Sequence, residues 1–133
     1  MASMRPFLQS EDARTQADFY IQALDGELVS VITYGQASGT PYTHKDKVMQ
    51  ICIHVAGGHV ISLTDALVPY TPGTGIALNL TYSSIAEART AFTKLAAGGR
   101  VIEPLEQQPF GMHYGELIDR YGVCWMIAAE REG

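Results

Sequence analysis

The chain has 133 residues, enough for one ordinary domain with a buried core, and its 47% hydrophobic and 17% charged residues exclude a disordered chain. The net charge of −5 comes with no lysine or arginine cluster, so the basic stripe that releases counterions from nucleic acid is missing. No apolar run approaches the roughly 20 residues that span a bilayer, and the opening Met-Ala-Ser-Met-Arg-Pro lacks a signal-peptide core. These features predict a cytoplasmic chain that engages neither nucleic acid nor membrane.

Residues 5–9 are short and apolar and predict a strand. Asp12 then offers a carboxylate to the free amides of a following helix, whose buried stripe is Ala13, Ala17, Tyr20, Ile21 and Leu24. Gly26 is expected as its left-handed cap. A strand over 28–34 and a loop over 35–46 come next, followed by a hairpin of strands at 48–55 and 59–64 around Ala56-Gly57-Gly58. Cys52 and Cys124 each lie inside an apolar run, which predicts two buried thiols in a reducing compartment rather than a disulfide or a nucleophile.

The same order returns in the second half. A strand over 76–81 precedes Ser84 and Glu87, which have capping-box spacing. Ile85, Ala88, Phe92 and Leu95 form the next helical stripe, ended by Gly98-Gly99, and strands at 100–102, 114–118 and 123–128 follow. Phe19 precedes Gly26, and Phe92 precedes Gly99, by the same interval; Gly58 and Gly122 each open a last strand. The repeat predicts an α+β fold, one domain over 1–133, built of two tandem βαβββ modules at about 4–67 and 74–130. A sheet with a helix on one side leaves its other side open, so a cavity between the sheets is expected.

Pro6-Phe7-Leu8 with Phe19-Tyr20 and Gly26, the run 57–65, and above all Phe110-Gly111-Met112-His113-Tyr114-Gly115 with Asp119-Arg120-Tyr121-Gly122-Val123-Cys124-Trp125 resemble one family over nearly the whole chain. It is the PhnB-like branch of the glyoxalase/bleomycin-resistance/dioxygenase (vicinal oxygen chelate) superfamily. The chain departs from that pattern where Phe110 replaces a usual Trp, where Arg120-Tyr121 replaces Pro-Phe in the last turn, and where Gln50 replaces a frequent His. These departures bear on a shared substrate rather than on the fold.

The resemblance implies a metal held by four His, Glu or Gln side chains on the first and last strand of each module. Carried over, the last-strand positions are Ser62 and Met126. The first-strand positions are Arg5 and Gly75 or, with a shift of two, Phe7 and Ala77. No such set binds zinc, nickel, iron or manganese, because it offers a hydroxyl, a thioether, a cation or nothing. No metal and no cofactor are therefore expected.

Other residues carry expectations of their own. In the family pattern the loop at Phe110 to Tyr114 covers the cavity mouth. His113 there has a pKa range suited to a general base, and Glu116 follows on the next strand; both are candidate catalytic groups, set against a plain loop histidine and a solvent-facing glutamate. Gln9, Gln50, Ser62 and Asn79 are polar residues within apolar strands, suited to line a wet cavity or to face solvent. Arg5, if enclosed, calls for an anionic ligand such as a carboxylate or phosphonate, set against a surface ion pair. His54 and His59 flank the glycine turn and read as exposed turn-adjacent histidines, set against an off-position metal site formed by their approach across the hairpin. The leading reading is a homodimer that binds a small organic molecule without a metal in a cavity lined by Arg5, Gln9, Gln50, Ser62, Asn79, Phe110, His113 and Tyr114. The alternatives are a lyase, isomerase or dioxygenase with unusual ligands or His113 as base, and a dimeric structural module without ligand.

Overall fold

Asp12 opens the first helix as the sequence predicts, its carboxylate accepting hydrogen bonds from the Thr15 amide and the Thr15 hydroxyl. Those bonds, the hydroxyl's first, hold the Asp12 carboxyl below the usual carboxylate range. The computed structural model describes residues 1–38 and 43–130, and the chain divides into two compact units, Met1–Tyr70 and Thr71–Gly133.

The first unit holds β1 (Phe7–Ser10), α1 (Ala13–Ala23), β2 (Glu27–Thr33), α2 (Tyr34–Ser38), β3 (Val48–Val55) and β4 (His59–Asp65). Its sheet runs β1-β4-β3-β2, with β1 parallel to β4 and the other pairs antiparallel. Helix α1 buries Ala13, Ala17, Tyr20 and Ala23. Buried Gln16 meets its own need by donating to the Tyr20 hydroxyl at 2.9 Å. Asp65 ties helix to sheet: one oxygen accepts from the Ala13 amide, the other from the Val48 amide, each at 2.7 Å.

The second unit repeats the plan with β5 (Ala77–Tyr82), α3 (Ile85–Ala96), β6 (Arg100–Gln107), β7 (His113–Ile118) and β8 (Cys124–Ala129). Its sheet runs β5-β8-β7-β6, again with the first pair parallel. Ser84 caps α3 through the Glu87 amide, and Ala88, Ala91, Phe92 and Leu95 are buried under it. Trp125, 1% exposed, donates its ring N–H to buried Asp119 at 2.9 Å. The other Asp119 oxygen accepts from the amides of Tyr121 and Val123, which shapes the turn into β8.

Four local expectations need correction. Gly26 is not the left-handed residue; Asp25 takes that conformation at φ 51°, and Gly26 is required because a Cβ there would overlap the His54 carbonyl. Part of the expected loop over 35–46 is α2. Thr33 and Gln36 cap it reciprocally, each side-chain oxygen accepting from the other's amide, while residues 39–42 of that loop lie outside the described residues. The strand expected over 100–102 extends to Gln107. As the edge of its sheet, β6 tolerates Pro104 and takes up two register shifts there. The first strand starts at Phe7, which leaves Arg5 outside it and exposed. The described residues contain no helix long and apolar enough to cross a membrane.

Asp119→Ala orphans a buried indole N–H and two turn amides together. The variant is expected to lose about 3 kcal/mol or more, read as a lower urea midpoint, whereas Asp119→Asn, which keeps an acceptor oxygen, loses less. Equal losses for the two variants would contradict this role for Asp119.

Candidate functional site

Residues paired across a ladder share a face, so the registers show what stands beside what. In the second unit α3 covers the face carrying Trp125, Ile127, Leu117 and Gly115. The face away from α3 has three rows. One runs Asn79, Met126, Glu116, Glu103; the rows on either side are Ala77, Cys124, Ile118, Arg100 and Thr81, Ala128, Tyr114, Glu106. A recess of about 360 Å³ opens on this face, walled by Ala77, Ile102, Glu116, Ile118, Cys124 and Met126, with Thr74 and Gly75 at one end. Its wall is apolar apart from the Glu116 carboxylate and the Cys124 thiol, which sits 4.0 Å from the Gly73 carbonyl.

The polar end of this face is acidic. The Tyr114 hydroxyl donates to Glu116, and Glu103 stands directly across the ladder from Glu116. Burial, then the hydrogen bond to Glu116 and the charges of Glu116 and Glu103, push the Tyr114 hydroxyl up to about 12. Tyr114 is therefore a fixed donor at neutral pH. Like charges directly opposite on a sheet cost roughly 0.2–1 kcal/mol. Arg100 lies at the start of β6 beside Ile118, and the described residues show no ion pair to either carboxylate.

The candidate residues thus separate. Asn79, Tyr114 and Glu116 come together on one face of the second sheet. His113 pairs with buried Ala129 on the α3 side, with its Nδ1 buried and without a hydrogen-bond partner. Phe110, in the turn before β7, is 60% exposed. In the first unit Gln9, Gln50 and Ser62 share the face away from α1: buried Ser62 stands between Phe7 and Cys52, and the Gln50 amide donates to its hydroxyl at 3.4 Å. His54 and His59 pair with different partners, Val60 and Val55, on opposite faces, so they do not approach; His54 instead lies 3.7 Å from Glu27. Both cysteines are free, Cys52 buried and Cys124 only half-buried. Ending the expected strand at 102 left out Glu103, which lies within β6.

The family described as 3-demethylubiquinone-9 3-methyltransferase matches residues 3–128. The chain belongs to this family. Among solved structures, one is described as a 3-demethylubiquinone-9 3-methyltransferase, PhnB protein, from Bacillus cereus; it is 28% identical, covers 97% of this chain and 100% of its own, and superposes with a TM-score of 0.76. The protein PA1353 from Pseudomonas aeruginosa is 31% identical over 98% of this chain and all of its own, with a TM-score of 0.80. A glyoxylase/bleomycin resistance protein/dioxygenase domain from Frankia, 18% identical over 100% of this chain and 94% of its own, shares the fold with a TM-score of 0.69. The two βαβββ modules of this PhnB-like chain are thus those of the glyoxalase/bleomycin-resistance/dioxygenase fold.

The superfamily's metal positions can now be tested on this PhnB-like chain. Ser62 lies beside Phe7 rather than Arg5, and Met126 beside Asn79, while Ala77 pairs with Cys124 and Gly75 precedes the strand. A phenyl ring, a hydroxyl, an amide and a thioether do not fit a divalent transition metal. No group of three His, Cys, Asp or Glu among the described residues is placed to hold one elsewhere.

Tyr114 provides a direct check of the acidic end. A hydroxyl raised in the folded state adds stability that is complete below its unfolded value near 10 and fades as pH rises toward 12. Ultraviolet titration should find one tyrosine ionising about two pH units late, and Glu116→Gln should bring it down. An unchanged titration curve in Glu116→Gln would show that the carboxylate does not hold this phenol.

Proposed function

We propose that the chain binds a small organic molecule without a metal, on the face of the second sheet away from α3, and that the ligand presents a protonated amine or similar donor. One observation carries this reading: Glu103 and Glu116 oppose each other, with no cationic partner among the described residues, beside an apolar recess of about 360 Å³. A volume above roughly 300 Å³ suits a drug-sized molecule. Apolar walls of Met126, Ile102 and Ile118 would bury its body, and Asn79 stands in the same row to orient it. A bound cation would relieve the repulsion between the carboxylates, so binding would gain both a contact and the removal of a penalty.

This ligand has the opposite charge to the one Arg5 called for. Arg5 is exposed, so water already solvates its guanidinium and no anion is needed to do so. His113 lies on the α3 side of β7, across the sheet from Glu116. The two therefore do not form an acid–base pair on the proposed ligand.

In a thermal-shift series of an amine, an alcohol and a carboxylate on one aromatic skeleton, the amine is expected to stabilise most. Glu116→Gln should remove most of that advantage. Elemental analysis of the tag-free protein is expected to find no stoichiometric zinc, nickel, iron or manganese. Equal shifts for all three compounds, or one such metal per chain, would overturn the reading.

We also propose a homodimer. Leu28, Val29 and Ile32 are exposed on β2, an edge strand of the first sheet, and an apolar edge of that kind favours pairing with another chain. Light scattering should give twice the chain mass, and Leu28→Lys with Ile32→Lys should shift it toward one chain. A wild-type mass of one chain would refute the dimer.

A further inference from the structure

The second unit has another recess, on the α3 side of its sheet and of opposite character. Val101 stands across the ladder from Leu117, which is 1% exposed, so Val101 belongs to the layer beneath α3; yet it is 46% exposed. The helix stops short of covering it. Next to Val101, β6 is irregular, with one register shift between Val101 and Glu103 and a second, spanning Pro104, between Glu103 and Glu106. At Gly115 a Cβ would press on the backbone of Leu105 and the ring of Phe92, so its absence lets β6 and α3 close in at that point.

What remains is a recess of about 260 Å³ between α3 and β6, with Phe92, Leu105, Val101 and Pro104 as its apolar lining. Arg89 and Thr93 complete the lining, one helical turn apart on α3, and both are exposed. No hydrogen bond or ion pair occupies the Arg89 guanidinium among the described residues. The chain as a whole carries a charge of −5, so an available cation above an apolar pocket is a local feature rather than part of a general basic surface.

We propose that this recess is a second ligand site, selective for a small amphipathic carboxylate whose apolar body rests on Phe92, Val101 and Leu105. The carboxylate would accept two parallel hydrogen bonds from Arg89, with the Thr93 hydroxyl as a further donor. A volume just under the roughly 300 Å³ of drug-sized sites limits the occupant to a fragment such as a phenylalkanoate. The site is independent of the recess beside Glu116, which lies on the other face of the sheet and takes the opposite charge.

The probes are 3-phenylpropionate and 3-phenylpropanamide, which share a skeleton and differ in charge. Titrated into the full chain and followed by two-dimensional NMR, the acid is expected to shift signals of Thr93, Val101 and Leu105 while leaving Cys124 and Met126 unmoved. Arg89→Gln, an exposed substitution, should weaken binding about tenfold, and Arg89→Lys should recover part of it. Val101→Trp, which fills the recess, should abolish binding in a protein that still unfolds cooperatively. Equal responses to acid and amide, an unchanged affinity in Arg89→Gln, or shifts centred on Cys124 and Met126 would each overturn the proposal.

Discussion

Each module turns on one close backbone approach. Where the chain leaves its helix it runs directly against a carbonyl of the module's third strand: Gly26 against His54 in the first, Gly99 against Ile118 in the second. No side chain fits at either place. The residue before each glycine takes the left-handed conformation, Asp25 at φ 51° and Gly98 at φ 78°. This contact sets where the next strand enters the sheet, and so which face the helix covers. Every face assignment at the candidate site follows from it, because a shift of one residue would exchange the two sides of a strand.

Two carboxylates, half-buried Asp65 and buried Asp119, then lock what the glycines permit. Asp65 joins the start of α1 to the start of β3, and Asp119 joins the last turn to the indole of Trp125. Both are taken up by structural donors, so neither is available to a ligand. Glu103 and Glu116 hold no backbone amide or buried ring in this way. Glu116 is engaged only by the Tyr114 hydroxyl, and the two carboxylates face each other across the ladder with no ion pair among the described residues.

The resemblance to a metal-binding superfamily and the chemistry of this PhnB-like chain diverge at the side chains while the backbone agrees. Ser62 keeps its place beside the first strand, but its hydroxyl is engaged by Gln50. Met126 sits between Asn79 and Glu116 as part of an apolar wall. The fold supplies facing positions on paired strands; only the residues placed there decide whether a metal or an organic group is held.

The sequence by itself determined the repeated βαβββ order, the caps at Asp12 and Ser84 and most of the buried helical stripes, since each rests on patterns among residues a few places apart. The reciprocal cap of Thr33 and Gln36 was equally local and legible from its spacing, though the surrounding turn-forming residues obscured it. Tertiary structure alone decided the rest. The edge position of β6 allowed a strand to run through Pro104, and pairing across that edge put Glu103 opposite Glu116. The start of β1 at Phe7 left Arg5 in water, and the pairing of β7 with β8 set His113 and Glu116 on opposite faces. Such relations depend on register between distant segments, which no local pattern encodes, and they fix the charge that a ligand on this face would meet.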